Sequence, residues 1–374
     1  MSEVYIVSAV RSPICQANPK GSLSRLNPVE LTAAILQEAV RRAAINPDRI
    51  DDIVWGSMTP LGDQNAELAR LAAVKAGFPE KTPMVTLERL CGASQRAIHF
   101  ACQAVVSGDM DIVIVGGTGS ISKWAAAPDG LTDCPSSLKQ LGIAAERMAD
   151  QWQLSREALD DFSYRSHLLA KKAIQNGSFE SQILSIQLPD HKIIHSDEGV
   201  PRLPNRQKLA KLKPIVKEDG VITAGNSSRV SDACAALVLA SVKAVGVYNL
   251  IPIARVVARH VVGSDSDSIL DSPIAVTRQV LKRAGLELSD MDIIELDEAF
   301  ASIALAWAME LRPDMEKVNP NGGAIALGHP LGAAGAVSMT RLVYELQQIQ
   351  GQYGLQIMTI GNGMGSATII ERIQ

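Results

Sequence analysis

Apolar and polar positions along the chain predict alternating helices and strands, and one such unit occurs twice. Residues 34–55 (AILQEAVRRAAINPDRIDDIVW) combine an amphipathic helix, a short polar turn and a buried strand. Residues 275–296 (AVTRQVLKRAGLELSDMDIIEL) repeat that order at an offset of 241 residues. Internal repetition on this scale indicates duplication of a supersecondary unit.

A second matched pair follows in the same order. Residues 90–106 (LCGASQRAIHFACQAVV) and 328–344 (GHPLGAAGAVSMTRLVY) each predict a turn followed by a helix of small residues. Each half then ends in a strand with glycines, at 111–117 and 355–361. Two matched pairs predict an α/β protein with a duplicated core, in which helices cover a parallel or mixed sheet.

A different kind of sequence separates the two halves. Residues 119–225 are more polar, with helices predicted at 142–152 and 155–176 and an irregular, proline-rich stretch at 188–214. A long irregular insertion on an α/β body usually covers a site. The apolar run 231–245 predicts a helix that returns the chain to the first core. The predicted division is 1–118 plus 226–248 for the N-terminal core half, 119–225 for a loop domain, and 249–374 for the C-terminal core half.

Composition and charge narrow the classes of function. The 374 residues carry 36 Lys+Arg against 40 Asp+Glu without a long basic run, so no nucleic-acid partner is predicted. No apolar run is long enough for a membrane span. The five cysteines are scattered without a CxxC pair, which excludes a disulfide framework and a zinc site of that type and favours a reducing, cytoplasmic compartment. His191 and His195 have metal-like spacing but lie outside any predicted helix, so no metal is expected.

Cys91 is the first candidate for chemistry. It lies in ERLCGASQRAI directly before a predicted helix, where unpaired amides and the positive end of the helix dipole favour a thiolate. A lone cysteine in such a core more often only packs. However, His329 in NGGAIALGHPLGAAG stands at the equivalent point of the second half. The duplication therefore predicts a nucleophile–base pair of Cys91 and His329.

Several motifs resemble the thiolase family. They are LCGASQRA, DEAFA, NGGAIALGHPLGAAGA and IGNGMGSATIIE, with the opening VYIVSAVRSP and TAGNSS, in order over nearly the whole chain. The resemblance implies a duplicated, five-layered αβαβα fold with an inserted loop domain that covers coenzyme A. It also implies an acyltransferase without a permanently bound cofactor, for which acyl-CoA and CoA are substrates. The implied reaction is thiolysis of 3-ketoacyl-CoA or, in reverse, Claisen condensation.

The resemblance also implies roles for individual residues. Cys91 corresponds to the acylated nucleophile, and His329 to its base and an oxyanion donor. The amides of Cys91 and Gly363 correspond to a second oxyanion hole, and Ser228 lies along the pantetheine arm. The remaining expected contacts of coenzyme A are Leu141, Ala299 and Arg206. A basic cluster at Arg202, Arg206, Lys208, Lys211 and Lys213 is either a solvated face or a place for CoA phosphates.

Two positions depart from the family pattern. Thr359 occupies the place of the cysteine that moves the substrate α-proton, and a hydroxyl is a poor general base. Asp297 replaces the usual asparagine, and a carboxylate there opposes developing negative charge unless burial protonates it or it serves as the missing base. In the loop domain, Gln140-Leu141 replaces the usual His-Met.

The stretch between GGTGSIS and DGLTD is short where the family carries an assembly loop, so a homodimer is expected. Three hypotheses follow from these features. The first is a thiolase-type acyltransferase acting through acyl-Cys91. The second is a divergent enzyme that transfers or hydrolyses the acyl group without C–C chemistry, and the third is a non-catalytic acyl-CoA-binding paralogue.

Overall fold

One large mixed sheet organises the molecule. The computed structural model describes residues 3–58, 67–122, 134–200, 205–264 and 271–373. The strands are β1 (Val4–Arg11), β2 (Cys15–Gln16), β3 (Asp52–Ser57), β4 (Met84–Glu88), β5 (Ile112–Gly119), β6 (Ile186–Gln187), β7 (Ile193–Ile194), β8 (Ser231–Ser241), β9 (Ala254–Gly263), β10 (Ile293–Leu296), β11 (Tyr353–Ile360) and β12 (Met364–Arg372). The helices are α1 (Pro28–Arg42), α2 (Leu68–Lys75), α3 (Ala93–Ser107), α4 (Cys134–Gln151), α5 (Arg156–Gln175), α6 (Arg206–Ala210), α7 (Val242–Tyr248), α8 (Ser272–Ala284), α9 (Ala301–Leu311), α10 (Ala324–Leu327) and α11 (Ala334–Gln348).

The strand order of the sheet shows the duplication. Along the sheet it runs β10-β11-β12-β9-β1-β8-β5-β3-β4, with β2 beside β8. In the first half β5, β3 and β4 are parallel, while β8 and β1 are antiparallel. In the second half β10 and β11 are parallel, while β12 and β9 are antiparallel. The two halves join where β1 pairs with β9.

The predicted offset holds in the structure. Helix α3 begins at Ala93 and α11 at Ala334, while β5 begins at Ile112 and β11 at Tyr353, and both pairs are 241 residues apart. The predicted duplication is therefore confirmed. The 3₁₀ turn Leu90–Gly92 corresponds to Leu331–Ala333, which makes Gly332 the equivalent of Cys91. The prediction that His329 occupies the equivalent point is wrong by three residues.

The helix predicted at 231–245 is wrong. Residues Ser231–Ser241 form β8, in which all eleven residues are buried, and only Val242–Tyr248 are helical. Leu237 and Leu239 face one core while Ala236 and Val238 face another, so the strand is covered on both sides. A strand buried on both faces loses the alternation that distinguishes it from a buried helix.

Three cores account for the layers. One lies between the two halves of the sheet and joins Ile98 of α3 and Leu342 of α11 to both. A second packs α1 and α2 on the outer face of the first half. The third packs α8 and α9 on the outer face of the second half. The order helix, sheet, helix, sheet, helix agrees with the five layers implied by the resemblance.

The polar insertion forms helices, as predicted, although their bounds differ. Helix α5 spans Arg156–Gln175, and the Ser155 side chain caps it by accepting from the Ala158 amide at 3.1 Å. Helix α4 spans Cys134–Gln151 and so begins eight residues before the predicted 142. The shortened stretch used to expect a dimer falls largely on residues 123–133, which lie outside the described residues. The domain limits at 118, 225 and 248 stay predictions.

Where α3 meets α11, the backbones approach so closely that glycine is required. A Cβ on Gly335 would lie 2.5 Å from the Gln95 amide nitrogen. We expect Gly335→Ala to cost about 1–3 kcal/mol of stability, because the clash is with backbone that cannot rotate away. The measurement is the thermal unfolding midpoint. Gly246→Ala in α7 is the matched control, since its Cβ would meet nothing within 4 Å. Equal midpoints for the two variants would contradict the close packing.

Candidate active site

Cys91 lies in the turn that starts α3. It is half-buried, whereas Cys15, Cys102 and Cys234 are buried, and all four are free thiols. A Cβ on the neighbouring Gly92 would lie 2.3 Å from the Ile360 side chain, so the end of β11 packs directly on this turn. The Cys91 sulfur therefore sits at a helix N-terminus, next to the strand end that carries Thr359.

The residue before Cys91 has an unusual backbone. Leu90 adopts a φ of 49°, which is uncommon for a residue with a branched side chain. Its amide donates to the Glu88 carboxylate at 2.7 Å, which helps hold this conformation. Backbone outliers of this kind cluster at functional sites. Sequence reasoning did not identify Leu90 or Glu88.

His329 is held through its own backbone. Its amide donates to the Arg229 carbonyl at 2.7 Å, and the Ser231 amide donates to the His329 carbonyl at 3.2 Å. Gly328, with a φ of 114°, leaves no room for a side chain, since a Cβ would lie 2.1 Å from the Ser231 hydroxyl. The imidazole is thereby fixed against the segment that leads into β8.

Asp297 is the partner of the His329 ring. Its Oδ1 lies 3.3 Å from Nδ1 of His329, and both side chains are buried. Burial alone disfavours the imidazolium, but attraction to Asp297 and to Cys91 outweighs it and raises the pKa of His329 to about 9. The Cys91 side chain also hydrogen-bonds the His329 ring, so the thiol lies directly beside the imidazole. The buried His329–Asp297 pair therefore holds a proton that either partner can carry.

The Asp297 carboxylate is itself unusual. Burial raises its pKa, while His329 and the Thr359 backbone amide act in the opposite direction. Its Oδ2 is buried without a hydrogen-bond partner, and so is Oγ1 of Thr359. The two positions that depart from the family pattern are therefore neighbours at the His329 ring. A carboxylate with a raised pKa and a free oxygen is a plausible proton carrier on chemical grounds.

The His329–Asp297 pair predicts a pH dependence. We expect kcat/KM to fall as the pH rises through about 9, because the imidazolium then loses the proton it donates. Asp297→Asn removes the charge attraction that raises the pKa of His329 but leaves the ring buried. The alkaline limb of the kcat/KM profile should therefore move to lower pH. An unmoved limb in this variant would contradict the pairing.

The raised pKa of His329 also makes the stability of the fold depend on pH. The folded-state pKa of His329, about 9, lies above the ordinary 6.5. The proton bound by His329 therefore stabilises the fold fully below about pH 6.5, and this contribution is lost as the pH rises through about 9.

Gly363 and Leu141 lie at the turn between β11 and β12. Gly363 has a φ of 79° and the preceding Asn362 one of 63°, so both are in the left-handed region of a tight turn. The Leu141 side chain lies 3.9 Å from the position of a Cβ on Gly361. Helix α4, which carries Leu141, therefore reaches the turn that contains Gly363.

Ser228 and Ala299 are brought together by the backbone. The Ser228 amide donates to the Ala299 carbonyl at 2.9 Å, and Ser227 bridges Phe300. Ser228 is half-buried. Since Ala299 follows Asp297 by two residues, this pair adjoins the carboxylate.

Arg206 lies farther out. Its guanidinium contacts Asp161 and stacks over the Tyr164 ring at 4.6 Å from the centroid, with no described contact to Cys91, His329 or Asp297. Helix α6 nevertheless packs on the segment that contains Ser228. The Leu209 side chain would lie 2.7 Å from a Cβ on Gly225, which is in that segment. Lys208, Lys211 and Lys213 are exposed and appear in no salt bridge among the described residues, and Arg202 lies outside them.

Glu298 is a buried carboxylate next to the candidate site that sequence reasoning missed. Its carboxylate accepts from Ser166 of α5 and from Asn319, both at 2.7 Å, and from the Ile325 amide at 3.2 Å. These bonds tie the loop before His329 to the insertion. The DEAFA motif contained the residue, but nothing in the local sequence gave its three partners.

No metal centre is found in the part of the chain that the structure describes. His191 and His195 flank the short strand β7. Likewise, none of the described helices is long and apolar enough to cross a membrane.

Together, Cys91, His329 and Asp297 form a chain of thiol, imidazole and carboxylate. A thiol at a helix N-terminus beside an imidazolium suits attack on a thioester or ketone carbonyl and protonation of the leaving group. The arrangement therefore supports covalent acyl transfer.

Family comparisons agree with this chemistry. The model for the thiolase N-terminal domain matches residues 4–127 and 125–243, and that for the thiolase C-terminal domain matches residues 250–372. Together they cover nearly the entire chain.

Relatives and solved structures give the same result. A steroid 3-ketoacyl-CoA thiolase of Mycobacterium tuberculosis is 38% identical, covering 100% of this chain and 95% of the relative. An acetyl-CoA acetyltransferase of Syntrophomonas wolfei is 35% identical, with 99% of each covered. The crystal structure of human mitochondrial 3-ketoacyl-CoA thiolase in complex with CoA superposes with a TM-score of 0.92 at 32% identity, covering 100% of this chain and 98% of the other.

Proposed function

Because the chain belongs to the thiolase family and is an acyltransferase of thiolase type, we propose that it cleaves or forms 3-ketoacyl-CoA through an acyl group on Cys91. The observation that carries this proposal is the buried His329–Asp297 pair beside a half-buried cysteine at a helix N-terminus. The same fold with CoA bound in a relative supports acyl-CoA and CoA as substrates.

In the thiolysis direction, the Cys91 thiolate attacks the 3-keto carbonyl. The carbonyl π electrons move to oxygen, where amides already in place stabilise the negative charge. The backbone amides of Cys91 and Gly363 form one oxyanion hole. The N–H of His329 forms a second oxyanion hole. When the tetrahedral intermediate collapses, the bond between the α- and β-carbons breaks and leaves its electron pair on the α-carbon.

The α-carbon must then receive a proton, and we assign that step to Asp297. The carboxyl proton of Asp297 moves to the α-carbon and releases acetyl-CoA. Thr359 has no titratable group in the relevant pH range, whereas the buried Asp297 has a raised pKa and an unpartnered Oδ2. In the second half-reaction the CoA thiolate, whose proton has gone to solvent, attacks acyl-Cys91 and releases acyl-CoA and the Cys91 thiolate, and Asp297 takes up a proton again. Condensation follows the same steps in reverse.

Coenzyme A binds between the loop domain and the core in this proposal. The adjacent Ser228 and Ala299 lie along the pantetheine arm, and Leu141 closes it near Gly363. Lys208, Lys211 and Lys213 are better placed than Arg206 to meet CoA phosphates, because Arg206 is already engaged by Asp161 and Tyr164.

We further propose a cytoplasmic homodimer. Strand β4 is at the edge of the sheet, and Val85 on it is 47% exposed. Leu71, Val74 and Phe100 are also exposed large hydrophobic residues. An open edge with apolar side chains favours pairing with a second copy.

The free thiols fit a reducing compartment. The division into two core halves and a loop domain belongs to the same proposal.

The test is turnover of 3-ketoacyl-CoA with added CoA, followed by the absorbance of the substrate thioester over a series of chain lengths. We expect loss of the 3-ketoacyl-CoA signal that depends on CoA and yields acetyl-CoA. Acylation of Cys91 without cleavage at any chain length would contradict the C–C chemistry.

A further inference from the structure

A small cavity lies directly behind the His329–Asp297 pair. Its volume is about 30 Å³, and its lining includes Asp297, His329, Glu295, Ser338 and Arg341. A polar cavity of this size can hold a water molecule. Neither the motifs nor the resemblance pointed to Glu295 or Arg341.

Two buried polar atoms on this cavity's walls lack partners. Nε of Arg341 is a donor and Oδ2 of Asp297 is an acceptor, and neither has a hydrogen bond. Asp297 and Arg341 are 7% and 6% exposed. A donor and an acceptor buried without partners are costly unless something bridges them. One water molecule between them would satisfy both.

Arg341 in turn holds Glu295. Nη2 of Arg341 lies 3.1 Å from Oε1 of Glu295, and both are buried. Glu295 lies in β10 and Asp297 directly follows the strand. Because side chains two residues apart along a strand point to the same face, both face α11, which carries Arg341. The three side chains therefore meet on one side of the strand.

We propose that a water molecule in this cavity links Asp297 to the Arg341–Glu295 ion pair, and that Glu295 and Arg341 are positioning residues for proton transfer by Asp297. The proposal rests on the role assigned to Asp297 above. In condensation, Asp297 takes the substrate α-proton. The water then accepts that proton and passes one of its own to the Glu295 carboxylate, so Asp297 becomes ionised again, and Glu295 releases the proton toward solvent past Glu345 before the next turnover. In thiolysis the proton returns by the same route.

The charges around Glu295 suit a proton store. Burial raises the pKa of Glu295 to about 7. Arg341 and Arg11 act against this increase, whereas Glu345 and Glu298 add to it. Asp297 is faced by His329 and the Thr359 amide. Beyond Arg341, the half-buried Glu345 accepts from Asn321. The carboxyl groups thus form a series from the active site toward the surface.

The test compares both half-reactions in Glu295→Gln. We expect kcat for C–C cleavage to fall about 10-fold, less than the ~10²–10⁴ of losing the acid–base group itself. The KM and the rate of Cys91 acylation by acyl-CoA should stay near wild type, and the acidic limb of the kcat profile near pH 7 should flatten. Glu310→Gln at the exposed Arg278 pair is the matched control and should change none of these.

A second variant guards against misfolding of the first. Val337→Ile adds one methyl group to the cavity wall without removing a charge and should give the same selective loss by expelling the water. The relay is overturned if folded Glu295→Gln keeps the wild-type kcat profile, or if both half-reactions fall together. Absence of cleavage by the wild-type protein would instead refute the proposed function, and the relay with it.

Discussion

Replacing Cys91 with alanine should reduce turnover about 10⁴-fold or more, because the proposed mechanism carries the acyl group on Cys91 between the two half-reactions. The loss should appear in cleavage and in exchange between acyl-CoA and free CoA alike. Both rates can be measured from the thioester signal and from labelled CoA.

Cys102→Ala is the matched control for this prediction. Cys102 lies on the same helix α3 but is buried, and burial raises the pKa of its thiol to about 12. We expect this variant to keep its activity at temperatures where it is folded. Turnover by Cys91→Ala, or an equal loss in Cys102→Ala, would contradict the assignment of the nucleophile.

The second large effect is expected at Asp297. Asp297→Asn should lower C–C cleavage by about 10²–10⁴-fold, because it removes the proton carrier. Acylation of Cys91 should change much less, since that step needs only the thiol and His329. The measurement compares cleavage of 3-ketoacyl-CoA with acylation of Cys91 by a simple acyl-CoA, a step in which no C–C bond breaks.

Position 359 provides a rescue. The Thr359 amide bonds to the Asp297 carboxylate, so a side chain at 359 stands next to the missing group. Asp297→Asn combined with Thr359→Cys places a thiol there and should restore cleavage, while Thr359→Cys alone should change it little. Such non-additivity is typical of residues in one network. Full activity of Asp297→Asn, or no recovery in the double variant, would contradict the replacement of one proton carrier by the other.

Much of the fold could be predicted from periodicity because the unit repeats. The 241-residue offset found in the helix–strand pattern also relates α3 to α11 and β5 to β11. The pattern failed at β8, where burial on both faces removes the alternation of apolar and polar residues. The pattern also misplaced the residue of the second half that is equivalent to Cys91. That residue is Gly332, which lies in the turn before α11, whereas His329 lies in the loop that precedes the turn.

The site was predicted only as far as motifs reach. Cys91, His329, Asp297 and Thr359 are recognisable because each lies in a short segment with a known pattern. Glu295, Arg229 and Arg341 contact partners that are distant in sequence or lie across a cavity, so no local signal marks them. Leu90 owes its backbone conformation to the turn as a whole, which periodicity does not describe.

Mass spectrometry of the protein after incubation with acetyl-CoA and longer acyl-CoA thioesters tests the central claim most directly. We predict one acyl group per chain, located on the peptide that contains Cys91 and removed again by free CoA. An unmodified protein with every chain length, or an acyl group on another residue that persists in Cys91→Ala, would contradict catalysis through acyl-Cys91.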